Sequence, residues 1–235
     1  MTEGLIKRFY KEVTVEKSDD GFQILLDGRK AKTPARHGLR VENRTFADCI
    51  ANEWSEQEES VDLKAMLFTR LAMSAIDLCD SDRQKIIDLV IGYLGSDLLC
   101  YFSEGPAPLR ARQEEAWQPY LAWASEMGFP LITSEGIAPV TQHQASLDAA
   151  RRMVLAANNL AVVVLGRLTE LSGSAVLALH LLREGSEAEA VFSASRVDED
   201  FQAEKWGVDT EAEARALRLK DEFVETAKVL SFLND

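Results

Sequence analysis

The residues best placed to do chemistry, or to grip a partner, lie together in Arg196-Val197-Asp198-Glu199-Asp200-Phe201-Gln202-Ala203-Glu204-Lys205-Trp206-Gly207. Three consecutive carboxylates, an amide and two aromatics share one short helical stretch that holds no nucleophile, histidine or thiol. At helical spacing Asp198 and Gln202 fall on one face, and so do Glu199 and Gln202, whereas Phe201 and Trp206 cannot both join it. One aromatic can therefore dock into a core while the carboxylates point outward. Spacing alone leaves two readings open: a solvated acidic face over a buried Phe201, or a surface built to hold another protein.

The remaining candidates argue against catalysis. His37, His143 and His180 stand without a Cys or His at ligand spacing, so no metal site is expected. His180, inside Leu177-Ala178-Leu179-His180-Leu181-Leu182, reads as a hydrogen-bonded histidine on an apolar helix. Cys49, Cys79 and Cys100 are odd in number, widely spaced and set in apolar runs, which predicts three reduced, buried thiols and no disulfide framework. The chain carries no nucleophile elbow, phosphate-binding loop or dinucleotide fingerprint, and no thiol has a local basic neighbour to activate it. Glu53 and Gln57 lie four apart on the helix of Trp54, while Asp77 and Asp97 end or open apolar stretches. Such carboxylates read as caps and helix-dipole partners before general acids or bases.

The elements that must position these residues change character near residue 40. Val13-x-Val15 and Phe22-x-Ile24-x-Leu26 alternate with polar residues, Ser18-Asp19-Asp20-Gly21 and Asp27-Gly28 mark turns, and Leu39 to Val41 offers a further strand. Beyond that point Phe46, Ile50 and Trp54 recur at helical spacing. Ser81-x-x-Gln84, Ser186-x-x-Glu189 and Thr210-x-x-Glu213 match capping boxes, and Gly95, Gly128, Gly185 and Gly207 stand at expected helix ends. Helices are predicted over 45–58, 64–79, 82–94, 109–127, 144–157, 159–171, 174–184, 187–206 and 211–233, with a short strand at Leu131-Ile132. The fold class expected is α+β: a small β-rich module over residues 1–42, packed against a larger α-helical domain over 43–235.

Composition narrows the partners. A chain of 235 residues that is 46% hydrophobic can bury one large core or two small ones. A net charge of −13 excludes a general nucleic-acid binder, which needs Lys and Arg in excess, and opposes adsorption to an anionic membrane. The charge suits either solubility alone or a protein face of basic character. The apolar region from Met153 to Leu182 is interrupted by Asn158-Asn159, Gly166-Arg167, Glu170 and Ser172-Gly173-Ser174, short of the roughly 18 apolar residues a membrane span requires. With no signal-peptide or transit pattern at Met1 to Tyr10, a bacterial cytoplasmic protein is expected; a trimmed mitochondrial-matrix chain would read the same.

Several further motifs occur in a fixed order: Arg8-Phe9-Tyr10-Lys11, Leu26-Asp27-Gly28-Arg29 with Thr33-Pro34, Glu53-Trp54-x-x-Gln57, and Met66-x-x-Thr69-x-Leu71 followed by Asp77. Tyr93, Asp97-Leu98-x-Cys100-Tyr101 and Gln113-x-x-x-Trp117-x-Pro119-x-x-x-Trp123 come next, ahead of the acidic, Gln-, Trp- and Gly-containing stretch. Together they resemble the Atp-twelve family, assembly chaperones that act on the α subunit of the F-type ATP synthase head. The resemblance implies an ATP-independent, non-enzymatic chaperone, without cofactor and monomeric when free, that holds the free α subunit until β arrives. It implies that Asp198, Glu199, Asp200 and Gln202 bind the partner, Glu199 foremost. Trp54, Glu53, Gln57, Asp97, Trp206 and Gly207 would maintain structural integrity. The sequence departs from the commoner family pattern at Leu67, where proline is frequent, and at Asp198 and Asp200, where glutamate is usual. Two other classes stay open: a small hydrolase-like enzyme using buried carboxylates, and a binding module for another protein client.

Overall fold

Alternating side chains and tight turns build the first sheet. In this computed structural model, which describes residues 6–207 and 210–233, β1 (Ile6–Lys7) stands apart from that sheet, whose strands are β2 (Val13–Ser18), β3 (Gly21–Leu26), β4 (Arg29–Lys30) and β5 (Arg40–Val41). β3 is the antiparallel centre, paired with β2 from Ser18↔Gly21 to Val13↔Leu26, with β4 at Leu26↔Arg29 and with β5 at Phe22↔Val41. Asp27 and Gly28 have φ of 49° and 72°, the left-handed pair that a two-residue primed turn requires. The Asp27 carboxylate also receives the Lys11 and Glu12 amides at 2.9 and 2.8 Å, so the turn is pinned from outside.

Helix α1 (Arg44–Ser55) follows, capped by the Asn43 side chain on the Phe46 amide. Phe46, Ile50 and Trp54 bury one face of it, as the periodicity predicts, and that face packs on β2 and β3. β6 (Ser60–Val61) pairs with β1, and α2 (Leu67–Ile76) completes the group. Phe232, from the end of the chain, stacks on Phe46 at 5.5 Å between ring centroids.

The second set of elements comprises α3 (Asp80–Gly95), β7 (Tyr101–Phe102), α4 (Ala107–Glu126), β8 (Ser134–Glu135), α5 (Gln144–Ala156), α6 (Asn159–Ser172), α7 (Ala175–Glu184), α8 (Ala188–Ser195), α9 (Val197–Trp206) and α10 (Thr210–Ser231). Its centre is the pair α6 and α7, whose Val162, Val164, Leu165, Leu168, Val176 and Leu177 are fully buried. None of the described helices is long and apolar enough to cross a membrane.

The α+β class is as expected, a small strand-rich region before a larger helical one. The compact units divide at residue 80 rather than at the change of periodicity near 42: among the described residues one runs to Asp80 and takes in 231–233, the other is Ser81–Leu230. The apolar face of α1 has the sheet as its partner, which groups this helix with the strands.

Several local expectations change. The predicted helix over 187–206 is broken at Arg196 (φ −108°, ψ 3°) into α8 and α9. Ser193 and Ser195 hydrogen-bond back to the carbonyls of Glu189 and Phe192, and such side-chain bonds compete with helical continuation. Ser81 lies inside α3 rather than before it, and Ser186 stands 3.2 Å from His180 Nδ1 while α8 starts after Glu187 with no side-chain cap. The third box begins α10 next to residues 208–209, which lie outside the described set. The strand expected at Leu131-Ile132 forms at Ser134–Glu135, parallel to β7. Of the three thiols only Cys100 is buried; Cys49 is half-buried and Cys79 exposed.

Candidate functional site

Helix α9 is ordered by its ends and its inner face. Asp198, Glu199 and Asp200 occupy its first turn and Lys205 its last, signs that suit the helix dipole at both ends. Gly207, at φ +83°, closes it by donating its amide to the Ala203 carbonyl at 3.0 Å. Phe201 is the aromatic that docks, 5% exposed, with the Arg112 guanidinium 5.2 Å and the Lys205 ammonium 4.7 Å from its ring centroid.

The carboxylates do not all point outward. Asp198 turns inward and accepts a 2.6 Å hydrogen bond from Gln113 Nε2 of α4, a side chain only 1% exposed. Gln113 Oε1 in turn accepts the Ser103 amide at 2.8 Å, so one amide ties α9 to the chain that leaves β7. Burial pushes the Asp198 carboxyl above its ordinary value, with the neighbouring Glu199 charge adding and the Gln113 bond opposing. Arg112 and Glu204 pair at 2.8 Å on the same side.

Glu199, Asp200 and Gln202 are exposed. Arg196, at the helix break, reaches Glu199 at 3.2 Å and Asp200 at 4.0 Å. Desolvation raises the Asp200 carboxyl first, partly offset by Arg196, with Glu199 and Glu204 adding to the rise. Cavities lie on both sides of α9. One of 730 Å³ is lined by Tyr93, Leu98, Tyr101, Arg196, Glu199 and Leu219 among others; one of 520 Å³ is lined by Arg112, Tyr120, Asp200 and Glu204 among others.

The residues expected to maintain integrity separate into three settings. Glu53 receives the amides of Phe68 and Thr69, each at 2.7 Å, and so caps α2 from a distance, where Met66 supplies no side-chain cap. Gln57 continues the same link, donating to the Glu53 carbonyl at 2.9 Å and accepting the Asp62 amide at 2.8 Å. Trp54 is 6% exposed, its carbonyl takes the Tyr10 hydroxyl at 2.7 Å, and the two rings meet edge to face. Asp97, fully buried, accepts from Ser174 Oγ at 2.7 Å, the Val176 amide at 3.1 Å and the Leu99 amide at 3.2 Å, and burial pushes its carboxyl up to about 6. Gly207 terminates α9, whereas Trp206 stands 79% exposed and contributes no core packing.

Sequence reasoning missed Gln113, Arg112 and Arg196 as organisers of α9. A signal existed for one of them: Gln113 lies four residues before Trp117, which puts both on the buried face of α4. His180 is as expected, edge-on to Tyr120 and Trp123 with Ser186 beside it, and burial lowers its pKa. Among the described residues no group of three or more His, Cys, Asp or Glu is placed to hold a metal ion. The chemistry on offer is recognition: an anchored helix presenting carboxylates and an amide beside two cavities.

Comparison with known proteins bears on the fold and the family. A crystal structure of Atp12 from Paracoccus denitrificans superposes with a TM-score of 0.88 at 34% identity, covering 97% of this chain and 98% of that one. A structure from Agrobacterium tumefaciens gives a TM-score of 0.87 at 36% identity, covering 97% and 86%. The mitochondrial protein atp12 of Schizosaccharomyces pombe is 23% identical over 214 residues, which span 86% of this chain and 74% of the relative. The family model described as ATP12 chaperone protein matches residues 7–125, a stretch that ends before α9. On that match and the full-length structural likeness, the chain belongs to the ATP12 chaperone protein family.

Proposed function

We propose that the chain is an ATP-independent assembly chaperone that binds the free α subunit of the F-type ATP synthase head, prevents its aggregation until β pairs with it, and catalyses no reaction. The observation that carries this reading is α9: Phe201, Asp198 and Glu204 bind it to α4, leaving Glu199, Asp200 and Gln202 exposed toward another surface. A subunit awaiting its partner exposes an apolar patch, and a basic rim around it is matched by acidic groups that orient the encounter. The incoming subunit displaces the chaperone by burying the same patch more completely, so no nucleotide is consumed. The rival reading, buried carboxylates in catalysis, loses support because Asp97 and Glu53 are both occupied by backbone amides at helix starts. The chaperone acts as a monomer, in the cytoplasm of a bacterium or in a mitochondrial matrix.

Co-purification from native lysate tests the client: α enriched over β supports the proposal, and β or an unrelated protein in its place rejects it. Glu199→Lys tests the surface. Binding to purified α subunit should weaken while the melting curve stays put, because Glu199 is exposed and its described ion pair is a single contact with the half-buried Arg196 one turn away.

A further inference from the structure

We infer that Trp206 is the apolar anchor of the client-binding surface, forming with Glu199 and Gln202 one outward stripe of α9 that takes a protein segment pairing a basic side chain with an apolar one. The inference rests on the proposed chaperone reading and adds to it a residue and a geometry. Positions 199, 202 and 206 are separated by three and four residues, the spacing that stacks side chains along one side of a helix. All three are exposed, whereas Phe201 and Asp198 hold the inner side to α4.

Trp206 differs in exposure from the other tryptophans of this chain. Of its four tryptophans, Trp54, Trp117 and Trp123 are 6%, 1% and 9% exposed, and Trp206 is 79% exposed. A tryptophan carries roughly 150–250 Å² of surface whose burial is favourable, and it is among the residues most enriched where partners bind tightly. Here that surface is withheld from the fold and placed at the end of a helix fixed by its other face. Glu199 and Asp200 supply the sign of the partner: in a chain of net charge −13, this surface selects a basic group. Seven residues of helix put Glu199 and Trp206 on the order of 10 Å apart along the axis. The client segment must therefore space its cation and its apolar side chain by about that distance.

Because the other three tryptophans are buried, fluorescence can isolate Trp206. Acrylamide quenching of wild type minus that of Trp206→Phe should show an accessible, red-shifted emitter in the free chaperone. In complex with purified α subunit the same difference should become blue-shifted and protected. Trp206→Ala should melt with wild type and bind the α subunit at least roughly 30-fold more weakly, the change typical of a buried anchor. If the α subunit is captured with Trp206 still fully quenchable, or Trp206→Ala binds as wild type, the inference falls and the chaperone reading stands. If neither wild type nor variant captures the α subunit, both fall.

Discussion

Gln113 and Asp198 meet at 2.6 Å across α4 and α9, and this contact sets which of the three consecutive acids faces inward. Asp198→Ala would leave the buried Gln113 Nε2 without its acceptor, a loss of about 1–3 kcal/mol. It should lower the urea midpoint and loosen α9, so that client binding falls together with stability. Glu199→Lys should lower binding alone. If Asp198→Ala matched wild type in both measurements, the contact would not organise α9.

Glu53 acts on a helix other than its own, and its removal should be felt there. Glu53→Ala uncovers the amides of Phe68 and Thr69 at the start of α2, a loss on the order of 2 kcal/mol for a distant cap with two charge-assisted bonds. Glu53→Gln keeps one acceptor oxygen and should fall between. Hydrogen exchange at the Phe68 and Thr69 amides, measured beside thermal melting, separates local fraying from global loss; unchanged exchange in Glu53→Ala would reject the capping role.

Much of this was readable from periodicity, and what was missed has a common cause. Strand alternation placed β2 and β3, the Asp27-Gly28 pair placed a turn, and the Phe46, Ile50, Trp54 stripe placed the buried face of α1. Each is a local pattern. The Arg196 break depends on serines bonding to their own backbone, the start of α2 on a carboxylate fourteen residues before Leu67, and the inward turn of Asp198 on an amide 85 residues away. Capping boxes misled at Ser81 and Ser186 because a hydroxyl three residues before a Glu or Gln, here Gln84 and Glu189, also arises without any capping role. The acidic stretch itself was recognisable, while the division of its labour required knowing which neighbours stood beside it.

Trp54→Arg should be chiefly a folding defect. The ring is buried against Tyr10, so the change removes an aromatic worth roughly 3–5 kcal/mol in a core and puts a charge in its place. Trp54→Phe keeps the packing and discards a buried indole N–H that has no partner, and should lose much less. Soluble yield and melting temperature of the two variants check this. A Trp54→Arg protein as stable as wild type would place the ring on the surface instead.

Asp97 gives the fold a pH dependence of unusual sign for a carboxylate. Its folded value, about 6, lies above the ordinary 3.8 because burial outweighs the amides and the Ser174 hydroxyl that favour the charged form. A raised value means the folded state holds its proton more tightly than the unfolded state. The stabilisation is therefore complete below about pH 3.8 and is lost as pH rises through about 6. The rise corresponds to a difference on the order of 3 kcal/mol. The other acids among the 39 titrate in both wild type and Asp97→Asn and cancel when the two are subtracted. Wild-type stability minus that of Asp97→Asn should accordingly fall between pH 4 and 6 and level off above 7, with the carboxyl carbon titrating by NMR over the same window. A difference that stayed flat, or that grew with pH, would mean that the amides at Leu99 and Val176 hold Asp97 ionised and that burial does not decide its charge.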